Sequence, residues 1–130
     1  MATPPSAFAA AAGLEAELVS GTKVVGHIEL TEEHFTLWGA VHGGVYSTAL
    51  ESAASIGASE AVKARGQFAV GVNNSTDFIR ASTGGRVEVV AAPLHQGRIQ
   101  QLWLVVITAV DTGKVVARGQ VRLQNVPLPD

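Results

Sequence analysis

Two groups of residues in the middle of the chain could act on a carbonyl compound. The first is His42-Gly43-Gly44, which directly precedes the long helical candidate of the sequence. Free N–H groups and the positive end of the helix dipole gather at a helix start, and glycine lets a ligand approach them closely. Such a place suits the oxyanion that develops on an attacked carbonyl. Two glycines before a helix are also, and more often, only a tight turn.

The second group centres on Glu51, which lies within the same helical candidate among alanine and other small residues. A carboxylate in so apolar a helix must be paired, functional or at an exposed edge. Ser55 lies one turn later on the same face and could hold a water or orient the carboxylate. Glu60, which has Lys63 nearby, is better explained as a solvated surface residue.

The spacing of Gly43 and Glu51 has a consequence for assembly. They are eight residues apart, which corresponds to about 12 Å along a helix. A glutamate side chain leans toward the helix N-terminus but cannot close that gap. Two antiparallel helices side by side can bring Glu51 of one chain to Gly43 of the other. If both groups are catalytic, we therefore expect at least a dimer with two equivalent sites.

The elements that must position these groups follow from turn residues and hydrophobic patterning. We predict a short helix over residues 6–12, capped by Ser6 and Gly13, and strand over 15–30 with a turn at Gly21. A loop over 31–41 leads into the helix, whose body covers 45–62. Four strands are then predicted over 68–80, 86–94, 98–110 and 114–126. Consecutive hairpins indicate an α+β fold with an antiparallel sheet packed on one helix. The helix is so apolar that the sheet wraps it or a partner chain covers it.

The composition excludes several classes of function. The chain has 130 residues, 47% of them hydrophobic, and a net charge of −2. We predict a flexible segment with a short helix at residues 1–12 and a single domain over 13–130. No basic run favours nucleic-acid binding, and no segment is long enough for a membrane helix. The absence of cysteine excludes disulfides and thiolate chemistry, and it fits a cytoplasmic protein. The histidines show no metal-ligand spacing, so no metal site is predicted: His27, His34 and His95.

The residues Val41 to Tyr46, followed by Glu51-Ser52, resemble the HGG-x(6)-Asp/Glu motif of hot-dog thioesterases. They are similar to the phenylacetate-pathway thioesterase branch and, because the acid is glutamate, to the Arthrobacter-type 4-hydroxybenzoyl-CoA thioesterases. The resemblance covers residues 13–126. It extends to further residues on both sides of the motif: Gly39, Asp77-Phe78-Ile79-Arg80 and His95-Gln96-Gly97-Arg98.

The resemblance implies a long central helix wrapped by an antiparallel sheet, in dimers that usually form tetramers. It implies hydrolysis of an aryl- or medium-chain acyl-CoA to free acid and CoA, with no cofactor. Glu51 would be the nucleophile or general base, and the Gly43 N–H of the other subunit would polarise the carbonyl. His42 would help shape that pocket, and Ser55 would assist the hydrolytic water.

One position departs from the family pattern. Relatives often carry Asn or Gln six residues before the motif histidine, where this chain has Thr36, whose shorter hydroxyl could still donate a hydrogen bond. Thr36 keeps open the alternative of a non-catalytic protein that binds an acyl-CoA or aromatic ligand. A hydratase or dehydratase is the third possibility, which the placement of Glu51 argues against.

The remaining predicted site residues would bind the substrate. Arg80 is the best candidate for the CoA phosphates, because guanidinium groups bind phosphate oxygens. Weaker candidates for this role are Ser82, Thr83 and Arg98. Gly44 would contribute to the substrate site beside Gly43, and three aromatic residues could line an acyl pocket: Trp38, Tyr46 and Phe78.

Overall fold

The computed structural model describes residues 4–130. Its helices are α1 (Ala7–Ala12) and α2 (Gly43–Val62), with short 3-10 turns at Glu32–His34 and Lys63–Arg65. Its strands are β1 (Glu15–Ser20), β2 (Lys23–Leu30), β3 (Gln67–Phe78), β4 (Gly85–Gln96), β5 (Gln100–Ala109) and β6 (Val115–Pro127). Residues 1–3 of the predicted flexible segment lie outside the described residues.

The predicted fold class is confirmed: an antiparallel sheet packs on one long helix, the hot-dog arrangement. The described strands run in the order β1-β2-β4-β5-β6-β3. Strands β1 and β2 form the hairpin predicted at Gly21, and β4–β5 and β5–β6 are also hairpins. The predicted hairpin between β3 and β4 is wrong, because β3 returns from α2 to the opposite edge of the sheet and pairs with β6, while β4 pairs with β2. This edge strand therefore lies beside the catalytic candidates on the helix.

Helix α2 starts two residues earlier than the predicted helical body, because His42 caps it. The His42 backbone is extended, and its side chain accepts a hydrogen bond from the Gly44 N–H. His42 therefore acts as the helix N-cap, because it satisfies one of the free N–H groups, although it does so with a ring nitrogen and not with the usual side-chain oxygen.

The small side chains of α2 let the sheet approach the helix closely. A Cβ added at Gly57 would lie 2.4 Å from a ring carbon of Trp103, whose side chain is fully buried. Leu50 and Ala53 fill the same core between helix and sheet. One face of α2 therefore packs in the core, and Glu51, Ser52 and Ser55 lie on the opposite face. No helix within residues 4–130 has the length and apolar character needed to cross a membrane.

Candidate active site

The start of α2 presents one unused N–H group. The Gly44 N–H donates to Nδ1 of His42 at 2.8 Å, and the Val45 N–H donates to the His42 carbonyl at 3.0 Å. The Gly43 N–H has no hydrogen-bond acceptor among residues 4–130. Because Nδ1 of His42 is an acceptor, its neutral ring carries the proton on Nε2 and can donate outward. The helix start therefore offers two donors, of which Gly43 is fixed by the backbone.

These donors open into a cleft of about 500 Å³. The Phe78 ring lies against Gly43, so close that an added Cβ would be 2.9 Å from its tip. Arg80 also lines this cleft and is exposed, so its guanidinium is available to a ligand there. The structure thus brings together several predicted site residues within one protomer: His42, Gly43, Gly44, Tyr46, Phe78 and Arg80.

Tyr46 is a buried member of this group, and only part of it borders the cleft. Its hydroxyl has no hydrogen-bond partner of normal geometry among the described residues. Burial raises the pKa of the Tyr46 phenol above its ordinary value, and the nearby Ser82 hydroxyl partly opposes this rise. The Ser82 hydroxyl itself bonds to the backbone of Gly84. Tyr46 is therefore a neutral core residue at ordinary pH.

Glu51 opens into different cavities from Gly43. One is a polar cleft of about 610 Å³, which Ser47, Asn74 and Phe78 also line. The other is a chamber of about 660 Å³ between α1 and α2. Neither cavity is lined by Gly43, as the spacing along one helix predicts.

Asn74, which was not predicted as a site residue, contacts the Glu51 carboxylate. Nδ2 of Asn74 donates to the Ser47 carbonyl at 2.9 Å and to Oε1 of Glu51 at 3.4 Å. Gly71 also borders the carboxylate, because an added Cβ would lie 2.8 Å from Oε2. Asparagine is depleted in strands, so Asn73-Asn74 inside a predicted strand was the available signal.

The α1–α2 chamber is mostly apolar and lies beside Ser55. Its walls are Ala9 and Ala12 of α1 and Ile56 of α2, with Glu51 and Ser55 on the same helix. Helix α1 carries no buried side chain. Its position therefore depends on backbone caps and on contacts made by its carbonyl groups.

His34 connects α1 to the segment before Gly43. Its Nε2 donates to the Ala11 carbonyl at 2.9 Å, and its Nδ1 accepts from the Thr31 N–H at 3.0 Å. Its own carbonyl accepts from the His42 N–H at 2.7 Å. This buried histidine thus serves as a structural connector, with one ring nitrogen donating to α1 and the other accepting from Thr31.

The loop before His42 holds Thr36 and Trp38. The Thr36 hydroxyl accepts from the Trp38 N–H at 3.2 Å, which leaves its proton free to donate. Trp38 is 89% exposed at the loop tip and does not join Tyr46 and Phe78 in the cleft.

The other predicted phosphate ligands are scattered in one protomer. Thr83 is exposed in the loop between β3 and β4. Arg98 lies in the β4–β5 turn, close to Gln101, which bonds to the Ala58 carbonyl near the far end of α2. That carbonyl is about 22 Å from Gly43 along the helix. Among residues 4–130, no group of three or more His, Cys, Asp or Glu is placed to hold a metal ion.

Comparison with known proteins identifies the family. Residues 39–116 match the model of the thioesterase superfamily. A candidate esterase of Mycobacterium tuberculosis is 57% identical over 91 residues, which are 68% of this chain and 64% of that protein. The 1,4-dihydroxy-2-naphthoyl-CoA hydrolase of Listeria monocytogenes is 31% identical over 96 residues, covering 74% of this chain and 77% of the hydrolase.

Solved structures agree with this assignment. The structure of the M. tuberculosis protein superimposes with a TM-score of 0.89 at 45% identity, covering 95% of this chain and 98% of that one. AziG of S. sahachiroi gives a TM-score of 0.88 at 37% identity, again covering 95% and 98%. The chain therefore belongs to the thioesterase superfamily and has its hot-dog fold.

Proposed function

We propose that this chain is an acyl-CoA thioesterase that hydrolyses an aryl- or medium-chain acyl-CoA to the free acid and CoA. One observation carries the proposal: the unused Gly43 N–H and the Glu51 carboxylate lie on one helix but open into separate cavities. Each is half of a carbonyl-hydrolysing site, and a second copy of the chain would supply the other half.

The edge strand β3 supports pairing with a second copy. It is hydrogen-bonded to β6 on one side only, and Val72 and Phe78 are exposed on it. An uncovered edge of twelve residues is a template for pairing with another strand. Antiparallel pairing of two β3 strands would extend the sheet and set two α2 helices side by side. We expect such dimers to pair further into a tetramer.

The proposed reaction uses groups of both chains. The Gly43 N–H of one chain, at the positive end of its helix, donates a hydrogen bond to the thioester carbonyl oxygen and stabilises the negative charge that develops there. Glu51 of the other chain either attacks the carbonyl carbon or withdraws a proton from a water that attacks it. Attack by Glu51 breaks the C–S bond, releases CoA and leaves an acyl-Glu51 anhydride, which water then hydrolyses to the free acid. In both routes the proton from water goes to the sulfur of the departing CoA. Ser55, one turn from Glu51 at the chamber, can hold that water. We expect no metal or cofactor requirement, because these groups and water complete the reaction.

The two cavities at Glu51 suggest where the substrate parts lie. The apolar chamber between α1 and α2 suits the acyl group, and its volume lies in the usual range of ligand pockets. Arg80, at the Gly43 cleft, suits the CoA phosphates. The Listeria relative is named for a bicyclic aryl-CoA, which favours an aryl acyl group here. This inference accords with the phenylacetate-pathway and Arthrobacter-type resemblances of the motif.

The first test measures CoA release from a panel of aryl- and alkyl-CoA esters with a thiol-reactive dye. Glu51→Gln keeps the size of the side chain but removes its charge, and we expect kcat to fall at least about a hundredfold. Glu60→Gln is the matched control, because Glu60 pairs with Lys63 on the surface. No release from any ester, with binding retained, would instead favour the ligand-binding alternative that Thr36 keeps open.

The second test asks whether the site is shared. Gly43→Pro removes the N–H at the first helical position, where proline is tolerated and where the extended His42 backbone suits it. Gly43→Ala, which retains the N–H, is the control for crowding against Phe78. Mixing and refolding the inactive Gly43→Pro and Glu51→Gln chains should restore about a quarter of wild-type activity, since half the dimers carry one intact site. If mixing the two variants restores no activity, the active site is not shared between two chains.

A further inference from the structure

The Glu51 carboxylate contacts strand β3 although Glu51 lies on the exposed face of α2. Ordering a long side chain costs conformational entropy, so a surface glutamate keeps one position only where neighbours hold it. Two β3 residues provide this support, Gly71 beneath Oε2 and Asn74 beside Oε1. The strand bulges between Gly71 and Asn73, which changes how these residues face the helix. We call Glu51, Gly71 and Asn74 the carboxylate slot.

The orientation of the Asn74 amide follows from its other partners. The Ser47 carbonyl can only accept, so the amide nitrogen must face it. The Thr76 hydroxyl lies 2.6 Å from Oδ1 of Asn74 and can donate to it. These two contacts fix the amide before Glu51 is considered. The second N–H of Nδ2 then points at Oε1 of Glu51.

We infer that Asn74 is a positioning residue for Glu51, and that Thr76 holds its amide in the working orientation. The inference rests on the proposed catalytic role of Glu51. Asn74 occupies Oε1 and leaves Oε2 without a hydrogen bond from residues 4–130, so Oε2 is free to accept one from substrate or water. The 3.4 Å separation is long for a hydrogen bond, as is common before substrate binds.

A purely structural role for Asn74 is the competing explanation, since its bond to Ser47 ties β3 to α2. That role requires one N–H only and predicts a loss of stability without a loss of kcat in the folded protein. A positioning role predicts instead a loss of kcat in the folded protein with a smaller loss of stability. Displacing a reacting group by about 1 Å can cost about a hundredfold in rate, even when substrate binding is unchanged.

The test compares Asn74→Asp, Thr76→Val and Thr76→Ser with wild type in kcat and KM. Asn74→Asp keeps the shape but replaces both donors with a second carboxylate, so we expect kcat to fall about 10- to 100-fold with KM within about threefold. Thr76→Val frees the amide to rotate and should lower kcat by a smaller factor. Thr76→Ser retains the hydroxyl and should restore nearly the wild-type kcat.

A stability measurement tests the contact without using activity. Asn74→Asp sets two carboxylates side by side, so its Tm should fall at neutral pH, and adding Glu51→Gln should recover part of that loss. Recovery together with the kcat pattern supports the inference. If Glu51→Gln is inactive while Asn74→Asp keeps kcat within about twofold of wild type, the positioning role is overturned. Hydrolysis that does not depend on Glu51 would overturn the role proposed for Glu51 and, with it, this inference. A double variant whose Tm does not recover would show that Asn74 and Glu51 do not interact, which overturns the inference and leaves the proposed function standing.

Discussion

Replacing Gly71 with alanine should impair catalysis without harming the fold. The new Cβ would lie 2.8 Å from Oε2 and 3.0 Å from Cδ of Glu51, although ordinary contacts begin near 3.4 Å. The carboxylate must therefore move by roughly 0.6 Å, since the strand backbone is fixed by its ladder to β6. If about 1 Å of misplacement costs up to about a hundredfold in rate, this shift should lower kcat roughly tenfold, about 1.4 kcal/mol in activation free energy.

Stability should respond differently to this substitution. Gly71 does not have a positive φ, so alanine fits its backbone. Alanine also restricts the unfolded chain, which favours the folded state by about 0.4–1 kcal/mol at compatible positions. Glu51 is exposed and can swing into solvent at little cost. We therefore expect Tm to stay constant or rise while kcat falls.

The assay is CoA release under saturating substrate, with Tm from calorimetry on the same samples. Glu51→Gln provides the control background, where Gly71→Ala should have no further effect on the residual rate. A Gly71→Ala protein with wild-type kcat would refute the claim that the carboxylate works from this position. A joint loss of Tm and kcat would show that the strand had moved instead.

Three further predictions concern the surroundings of the site. Gly57→Ala places a methyl group 2.4 Å from a Trp103 ring carbon, so the free energy of unfolding should fall by about 1–3 kcal/mol in urea titrations. His34→Phe leaves the Ala11 carbonyl without its ring donor, and limited proteolysis should cut the α1 region faster than in wild type. Tyr46→Phe removes a buried hydroxyl without a partner, so its Tm at pH 7 should match or exceed that of wild type. Because folding raises the pKa of Tyr46, the wild-type protein should lose stability as the pH rises beyond about 10. Tyr46→Phe should not share that part of the loss. If the Tm of wild type and that of Tyr46→Phe fall by the same amount between pH 9 and 11, the burial of Tyr46 does not raise its pKa as argued.

The main elements of the fold were predictable from local patterns. Alanine-rich sequence and glycine turns identified α2 and the hairpins β1–β2, β4–β5 and β5–β6, because those signals act over a few residues. The pairing of β3 with β6 instead of β4 was not predicted, because it joins strands that are distant in the chain. The first residue of α2 was not predicted, since the His42 cap uses a side-chain nitrogen rather than a typical capping oxygen. Trp38 was predicted to line an acyl pocket on its residue type alone. In the single chain it faces solvent, and its place in an assembled site stays a prediction.

The site could be predicted only in part. Glu51 stands out because a carboxylate interrupts an apolar helix, and Gly43 because glycine precedes a helix start. Asn74 stands out only as an asparagine in a predicted strand, and Gly71 not at all, because their contact with Glu51 depends on how β3 returns along the helix 20 or more residues later. Such long-range contacts leave no periodic trace in the sequence.

The double attachment of His34 has a practical consequence for anyone who purifies this protein. Its ring bonds to α1 and its carbonyl to the backbone of His42, so we expect a displacement of α1 to reach the residue beside Gly43. We expect a truncation that removes α1 to leave the His34 ring without its acceptor and to loosen the segment before His42. Variants shortened at the amino end should therefore be compared with the full chain before their activities are interpreted.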